Sequence, residues 1–323
     1  IIDEAVDPEF GTGFLKVTPA HDATDFEIGL RHGLDPFVVI DAGGIMNDRA
    51  GSSAGMDIFE ARKAVLEDLK KQNLLKEIED YRHAVGHHDR CGNIIEPYVS
   101  KQWFLKMDDL AAPAIEVVNR GETVFYPERW KNIYLSWMEN IRDWCISRQL
   151  WWGHRIPVWY CDACGIEIVS REDPSECIGC GSKEIRQDDD VLDTWFSSWL
   201  WTFSPMGWPD ETADLKKFHP TDVLVTGGDI IFFWVARMIM ASIEFRGEIP
   251  FSDVYITGIV RDTQGRKMSK TYNNVVDPIQ VMDDYGADAL RLTLLTGSTP
   301  GNDKNLSMDR VRANRNFANK IWN

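Results

Sequence analysis

A chain of 323 residues with 44% apolar content is too long for one ordinary core and rich enough in apolar side chains to build two or three. Its 51 acidic and 35 basic residues give a formal net charge of −16, which excludes a body coated with nucleic acid, because phosphate contacts need clustered Lys and Arg. No run of about 18 uncharged apolar residues occurs, and the opening IIDEAVDPEF lacks the basic start and apolar stretch of a secretion signal, so no membrane-spanning or exported segment is expected.

The first predicted element is a glycine turn and strand over residues 11–18, GTGFLKVT, in which Phe14, Lys16 and Thr18 share one face. The following PAHDATDFEIGLRHG reads as a helix, with acids at its start, an apolar pair at Phe26 and Leu30 and a stop at Gly33. A second helix covers MDIFEARKAVLEDLKKQ, where Ile58, Ala61, Val65 and Leu69 recur at helical spacing behind an Asp57 to Glu60 capping box. Cys91 and the nearby His83, His87 and His88 lack a paired ligand spacing and are read as ordinary side chains. From Pro127 onward, Trp130, Ile133, Tyr134, Trp137, Ile141 and Trp144 draw one core-packing stripe on a predicted amphipathic helix. Residues 145–160, CISRQLWWGHRIPVWY, are expected as strand and turn, with Cys145 a buried thiol.

Cys161-x2-Cys164 and Cys177-x2-Cys180 stand twelve residues apart, each pair followed by Gly. This is the spacing of two knuckles that present four thiolates to zinc, and in a chain without a secretion signal it points to a reducing compartment, the cytoplasm, rather than to disulfides. Four protein thiolates leave no open position, so the metal is expected to be structural.

From residue 223, VLVTGGDIIFFWVARMIMAS and the later VYITGIV give an apolar strand, a Gly227-Gly228-Asp229 turn, an apolar helix and a second strand. That is half of an open α/β sheet, whose ligands sit at the carboxyl ends of the strands, where Asp229 can accept from ribose hydroxyls. Beyond it, GRKMSKTYNNVVDP places Lys267 and Lys270 on a Gly-flanked loop suited to holding a polyphosphate by mobile charges; a solvated basic turn is the bland alternative. Turn and loop together predict a nucleotide site. The chain opens without Met and closes within the basic, helical-looking MDRVRANRNFANKIWN, and it reads as an excerpt from a longer protein.

On these residues the chain resembles the class I aminoacyl-tRNA synthetases. KMSKT is similar to that family's KMSKS signature, and GTGFLKVTPAHDATDFEIG, IEPYVSKQWF, CISRQLWWGHRIP, DVLDTWFSSWLW, TGGDIIFFWVARM and GADALRLTL resemble its valyl branch, with the isoleucyl branch second. The resemblance implies an α/β fold: the second half of a Rossmann-type catalytic domain, with part of an inserted editing domain and a zinc knuckle. Residues 1–95 would be the C-terminal part of the editing domain. Residues 96–300 would be the return segment and second catalytic half, with the knuckle at 160–182, and 301–323 the start of the helical domain that meets the tRNA stem and anticodon.

The implied reaction has two steps: the valine carboxylate attacks the α-phosphate of ATP, which arrives with Mg2+, and the terminal ribose hydroxyl of tRNA(Val) then attacks the valyl adenylate. Lys267 and Lys270 would stabilise the departing pyrophosphate. Gly227, Gly228, Asp229, Ile259, Val260 and Ser269 complete the implied ATP site. Trp195 and Trp234 would wall the valine pocket, with plain core packing the alternative in a chain of 13 Trp. A pocket that excludes by bulk cannot reject threonine, which only adds a hydroxyl to the same shape, so a hydrolytic editing site is implied. Phe10, Lys16, Thr18, Asp22 and Asp25 fall on its positions, Asp22 pairing with the mischarged amino group. The alternative for Asp22 and Asp25 is to satisfy free N–H groups at a helix start. Zn2+, ATP, valine and tRNA(Val) are thus the expected cofactors and partners of a cytoplasmic monomer without a membrane attachment.

The pattern also departs from the family. No His-x-Gly-His stretch occurs, since HAVGH at 83–87 has the wrong spacing, so that half of the site and the anticodon helices are expected outside this chain, which alone should not charge tRNA. Thr271 replaces a usual Ser, and Tyr272 and Asn273 stand where Lys and Gly are common. A stand-alone zinc-ribbon RNA-binding module would need basic residues around the cysteines, whereas 162–190 is acidic through Asp188-Asp189-Asp190. A free-standing deacylase would leave the KMSKT loop and the Gly-Gly-Asp turn unexplained.

Overall fold

The computed structural model describes residues 1–88, 91–269 and 272–323, so Lys270 and Thr271 lie outside the described residues. The chain divides into two units, Ile1–Lys101 and Gln102–Asn323.

In the first unit, α1 (Ala23–His32) starts at Asp22, whose side chain accepts from Asp25 N, and stops at Gly33 in the left-handed region, φ 62°. The 14-residue α2 (Ile58–Lys71) starts at Asp57, which accepts from Phe59 N. Both helices were expected from their caps and spacing. The strand expected over residues 11–18 is not formed. Alternation alone does not make a strand; a neighbour must take the N–H groups, and here the Thr18 N–H goes to the Asp25 carboxylate instead, at 2.6 Å.

The second unit opens with β1 (Phe104–Leu105), α3 (Asp108–Asn119), β2 (Val124–Tyr126) and α4 (Arg129–Met138), followed by β3 (Trp144–Cys145), which pairs antiparallel with β1. The expected tryptophan stripe is therefore divided. Trp130 and Trp137 share α4, but Trp144 reaches the same core from a strand, because the helix ends at Met138, where Asn140 Nδ2 takes the Ser136 carbonyl at 2.8 Å. Next come β4 (Ser147–Arg148), β5 (His154–Arg155), β6 (Val158–Cys161), β7 (Glu167–Val169), β8 (Ile185–Gln187) and β9 (Val191–Leu192). They form two small antiparallel sheets, β4-β9-β5 and β7-β6-β8.

After α5 (Thr194–Ser198) and α6 (Ala213–Phe218), β10 (Thr221–Gly227) leads through a 3₁₀ turn and a π-turn, Ile231–Val235, into α7 (Ala236–Arg246) and then β11 (Phe251–Thr257). This is the strand–turn–helix–strand read from the sequence. β10 and β11 run parallel, in register from Thr221↔Phe251 to Gly227↔Thr257, and β2 extends the sheet on the other side of β11, also parallel. Phe125, Val254 and Ile256 bury one face in a core with Tyr134, Met138 and Ile239. On the other face Val124, Tyr126, Val223, Val225 and Tyr255 remain exposed. Finally β12 (Val260–Arg261), α8 (Pro278–Tyr285), α9 (Ala287–Leu295), β13 (Lys304–Asn305) and α10 (Met308–Trp322) gather around Val281, Leu290, Leu306 and Val311. Among the described residues no helix is long and apolar enough to cross a membrane.

Candidate nucleotide and amino-acid site

Two loops leave the carboxyl edge of the sheet side by side, Gly227-Gly228-Asp229 after β10 and Gly258-Ile259 after β11. Gly228 abuts the Trp130 ring so closely that a Cβ would overlap it, and a Cβ on Gly258 would overlap the Asn302 carbonyl. Glycine is thus required at both places by neighbouring atoms. Ile259 donates its N–H to Asp303 Oδ1 at 2.9 Å and accepts from Lys304 N at 3.0 Å, while the Val260 side chain joins the small core of Leu306 and Val311.

Across this edge Lys267 Nζ donates to Asp229 Oδ2 at 2.9 Å. The lysine is placed by a turn that the sequence reading passed over. Asp262 accepts from the N–H groups of Gln264 and Arg266 and from Arg266 Nε, and Asn274 Nδ2 bridges Asp262 Oδ2 and the Lys267 carbonyl. Those donors, led by Asn274 and opposed by burial, hold the Asp262 carboxyl far below the ordinary carboxylate range. Asn274 Oδ1 also accepts from Ser269 N at 2.8 Å. Asn273 adopts φ 48°, the left-handed conformation that Asn enters more readily than most side chains. The Asp-x-x-Gly sequence at 262–265 was the available signal for the turn.

The same unit holds a cleft of about 590 Å³. Trp137, Trp144, Trp195 and Phe233 are among its apolar walls, and Asp193, Arg148 and Arg237 supply polar groups. Apolar walls with a few placed polar atoms suit a small organic ligand. Trp195 stacks on Phe233, with centroids 5.8 Å apart. Trp234, named beside it from the sequence, is tied to α5 by an Nε1 bond to the Ser198 carbonyl at 3.2 Å, and Phe233 rather than Trp234 lines this cleft. Phe233, Asp193 and Arg237 were not singled out from sequence; the π-turn that aims Phe233 has no local signature there.

The sulfur atoms of Cys161, Cys164, Cys177 and Cys180 all lie within 4.8 Å of one another. The Cys161–Cys180 and Cys164–Cys177 separations are both 3.6 Å, close to the ~3.8 Å edge of a tetrahedron with ~2.3 Å metal–sulfur bonds. Gly165 and Gly181 take φ of 74° and 71° as the knuckles turn. Burial pushes the Cys177 thiol up, but the N–H groups of Cys180 and Gly179 outweigh it and bring it down to about 7. The donor set fits zinc.

In the first unit four of the five implied editing residues form one hydrogen-bonded chain. Lys16 Nζ donates to Thr18 Oγ1 at 3.0 Å, Thr18 donates its N–H and Oγ1 to Asp25 Oδ2, and Asp25 N donates to Asp22 Oδ1 at 2.9 Å. Asp25 is buried, whereas Phe10 is 70% exposed and outside the chain. Asp22 therefore does cap a helix, as the structural alternative held, and its other carboxylate oxygen is not used by the cap.

The chain, with its parallel sheet and four-thiolate knuckle, belongs to a recognisable class of protein: the class I tRNA synthetases, whose family model (I, L, M and V) matches residues 53–307. Within that family the chain is 59% identical over 323 residues to the valine--tRNA ligase of Clostridium acetobutylicum, covering 100% of this chain and 37% of that protein. The valine--tRNA ligase of Symbiobacterium thermophilum is also 59% identical, with 100% of this chain and 36% of the relative covered. The chain thus spans little more than a third of the length of these relatives. In fold it is similar to Mycobacterium tuberculosis methionyl-tRNA synthetase in complex with methionyl-adenylate, with TM-score 0.53 and 22% identity over 73% of this chain and 42% of that one.

Proposed function

We propose that the chain works within a longer polypeptide as the catalytic and editing middle of a valine-activating tRNA ligase. The observation that carries this reading is the meeting of Lys267 and Asp229 at 2.9 Å on the carboxyl edge of the parallel sheet, where an α/β fold holds its nucleotide. With ATP and Mg2+ bound, Asp229 takes the ribose hydroxyls and Lys267, released from the ion pair, turns to the phosphates. A valine carboxylate oxygen attacks the α-phosphorus, the bond to the pyrophosphate oxygen breaks, and Lys267, with Lys270, stabilises the charge that leaves. The terminal ribose hydroxyl of tRNA(Val) then attacks the adenylate carbonyl and AMP departs.

In this reading the cleft beside Trp195 takes the valine side chain, and Ile259, Val260 and Ser269 border the nucleotide. Threonine passes such a cleft, and the Lys16–Thr18–Asp25–Asp22 chain, with Phe10, serves a hydrolytic site that removes it from tRNA. Zinc in the knuckle is structural, and the protein acts as a cytoplasmic monomer. The test is amino-acid-dependent ATP–pyrophosphate exchange by the full-length protein with valine, isoleucine and threonine. Strong exchange with valine and weak exchange with threonine is expected; exchange led by isoleucine, or none, overturns the reading.

A further inference from the structure

Trp195 is held in two ways. Its backbone N–H donates to Asp193 Oδ1, the cap of α5, at 3.2 Å, and its ring stacks on Phe233 with 24° between the planes. Arg237 stands behind both supports. Its guanidinium carbon lies 3.4 Å from the centroid of Trp144 and 5.5 Å from that of Phe233, and its Nη1 is 3.8 Å from Asp193 Oδ2. That oxygen already accepts from Arg148 Nη2 at 2.7 Å and Trp144 Nε1 at 3.2 Å. Arg237 is only 6% exposed, and its Nε and Nη1 find no hydrogen-bond partner among the described residues.

Two idle buried donors are a poor device for stability, and an apolar side chain of similar volume serves folding as well or better. Burial first, then the neighbouring Arg148 charge, push the Arg237 guanidinium down to about 10 against the opposing Asp193 carboxylate. What a flexible apolar chain cannot supply is a rigid plane set against two aromatic rings that also leans on the α5 cap. We infer that Arg237 is a positioning residue for amino-acid selection, fixing the Trp195 wall through Phe233 and Asp193 so that the cleft separates side chains one methylene apart. This rests on the amino-acid-activating reading above. A methylene in an apolar pocket is worth about 10- to 200-fold in discrimination, and a wall free to shift gives most of that away.

The test compares wild type, Arg237→Met, Arg237→Lys and Phe233→Leu in the full-length enzyme. It reads kcat/KM for valine and isoleucine in pyrophosphate exchange, KM for ATP, and the thermal midpoint. Arg237→Met should keep its midpoint and its KM for ATP while the valine-to-isoleucine ratio falls about tenfold. Arg237→Lys, which keeps the charge but not the plane, should not restore the ratio, and Phe233→Leu should show the same loss. An unchanged ratio in folded Arg237→Met overturns the inference, as does an equal loss for both amino acids, which would mean that Arg237 binds their shared carboxylate. Should Arg237→Met fail to fold, an unchanged ratio in Phe233→Leu overturns it. A wild type that prefers isoleucine removes the valine reading alone, since the same ratio then tests the wall; one that activates no amino acid overturns both.

Discussion

Lys267 and Asp229, 38 residues apart in sequence, are joined by a 2.9 Å ion pair whose side chains are 61% and 43% exposed. An exposed pair of this kind contributes only about 0–1 kcal/mol to stability. The contact therefore serves to park the lysine beside the Gly-Gly-Asp turn more than to hold the fold.

Lys267→Ala in the full-length enzyme should accordingly leave thermal unfolding almost unchanged and slow valine-dependent pyrophosphate exchange by about 10²- to 10³-fold, the usual cost of removing one donor from a developing charge. Asp229→Ala should chiefly raise KM for ATP. Exchange at the wild-type rate in Lys267→Ala would remove the residue from the reaction.

What could be read from sequence, and what could not, follows the range of the interactions involved. The β10–α7–β11 unit was legible because its parallel strands are apolar runs bounded by glycine turns, and the knuckle because metal geometry dictates local cysteine spacing. Trp144 was misplaced on a helix because a seven-residue recurrence fits a helical stripe whether or not the chain turns at Asn140 between. The Asp193–Arg237 and Asp262–Asn274 contacts depend on residues 44 and 12 positions apart, and no local pattern announces which carboxylate meets which donor. Lysine and threonine at 16 and 18 do lie together, as alternation suggested, yet without the strand that alternation implied.

The knuckle should hold one zinc per chain. Stripping it with a chelator should lower the thermal midpoint and expose four reactive thiols, since β6, β7 and β8 are short and Cys161 and Cys177 contribute to their core. Metal analysis alongside thiol titration settles the matter, and metal-free protein with an unaltered midpoint would count against a structural ion.

Asp22 and Asp25 separate by substitution. Asp25→Ala strands two Thr18 donors and should destabilise the first unit by about 1–3 kcal/mol. Asp22→Ser keeps a capping oxygen and should cost no more than a few tenths of a kcal/mol, while a full-length enzyme carrying it should accumulate threonyl-tRNA. Clearance of threonyl-tRNA at the wild-type rate would reduce Asp22 to a cap.

The open face of the parallel sheet should make the 323-residue chain sticky when expressed alone. Val225 and Tyr255, neighbours in register, are 59% and 39% exposed, although parallel sheets are ordinarily covered on both sides. Val225→Lys should reduce binding of a hydrophobic dye and raise the concentration at which the chain precipitates. Dye binding unaffected by that change would place the exposed apolar surface elsewhere.

Asp262 gives the lysine loop a defined acid limit. Its carboxyl is depressed in the folded protein, by Asn274 first and by the Arg266 donors after the opposing effect of burial, so its stabilising contribution is present above the unfolded value of about 3.9 and is lost as pH falls towards the folded value. Asp262→Asn keeps an acceptor but cannot ionise. The stability gap between wild type and Asp262→Asn in urea titrations should therefore be constant at pH 5–7, about the range in which both folded and unfolded carboxyls are ionised, and should close progressively below about pH 4. A gap that stays constant into the acid range would mean that the Asp262 charge does not hold the turn that presents Lys267.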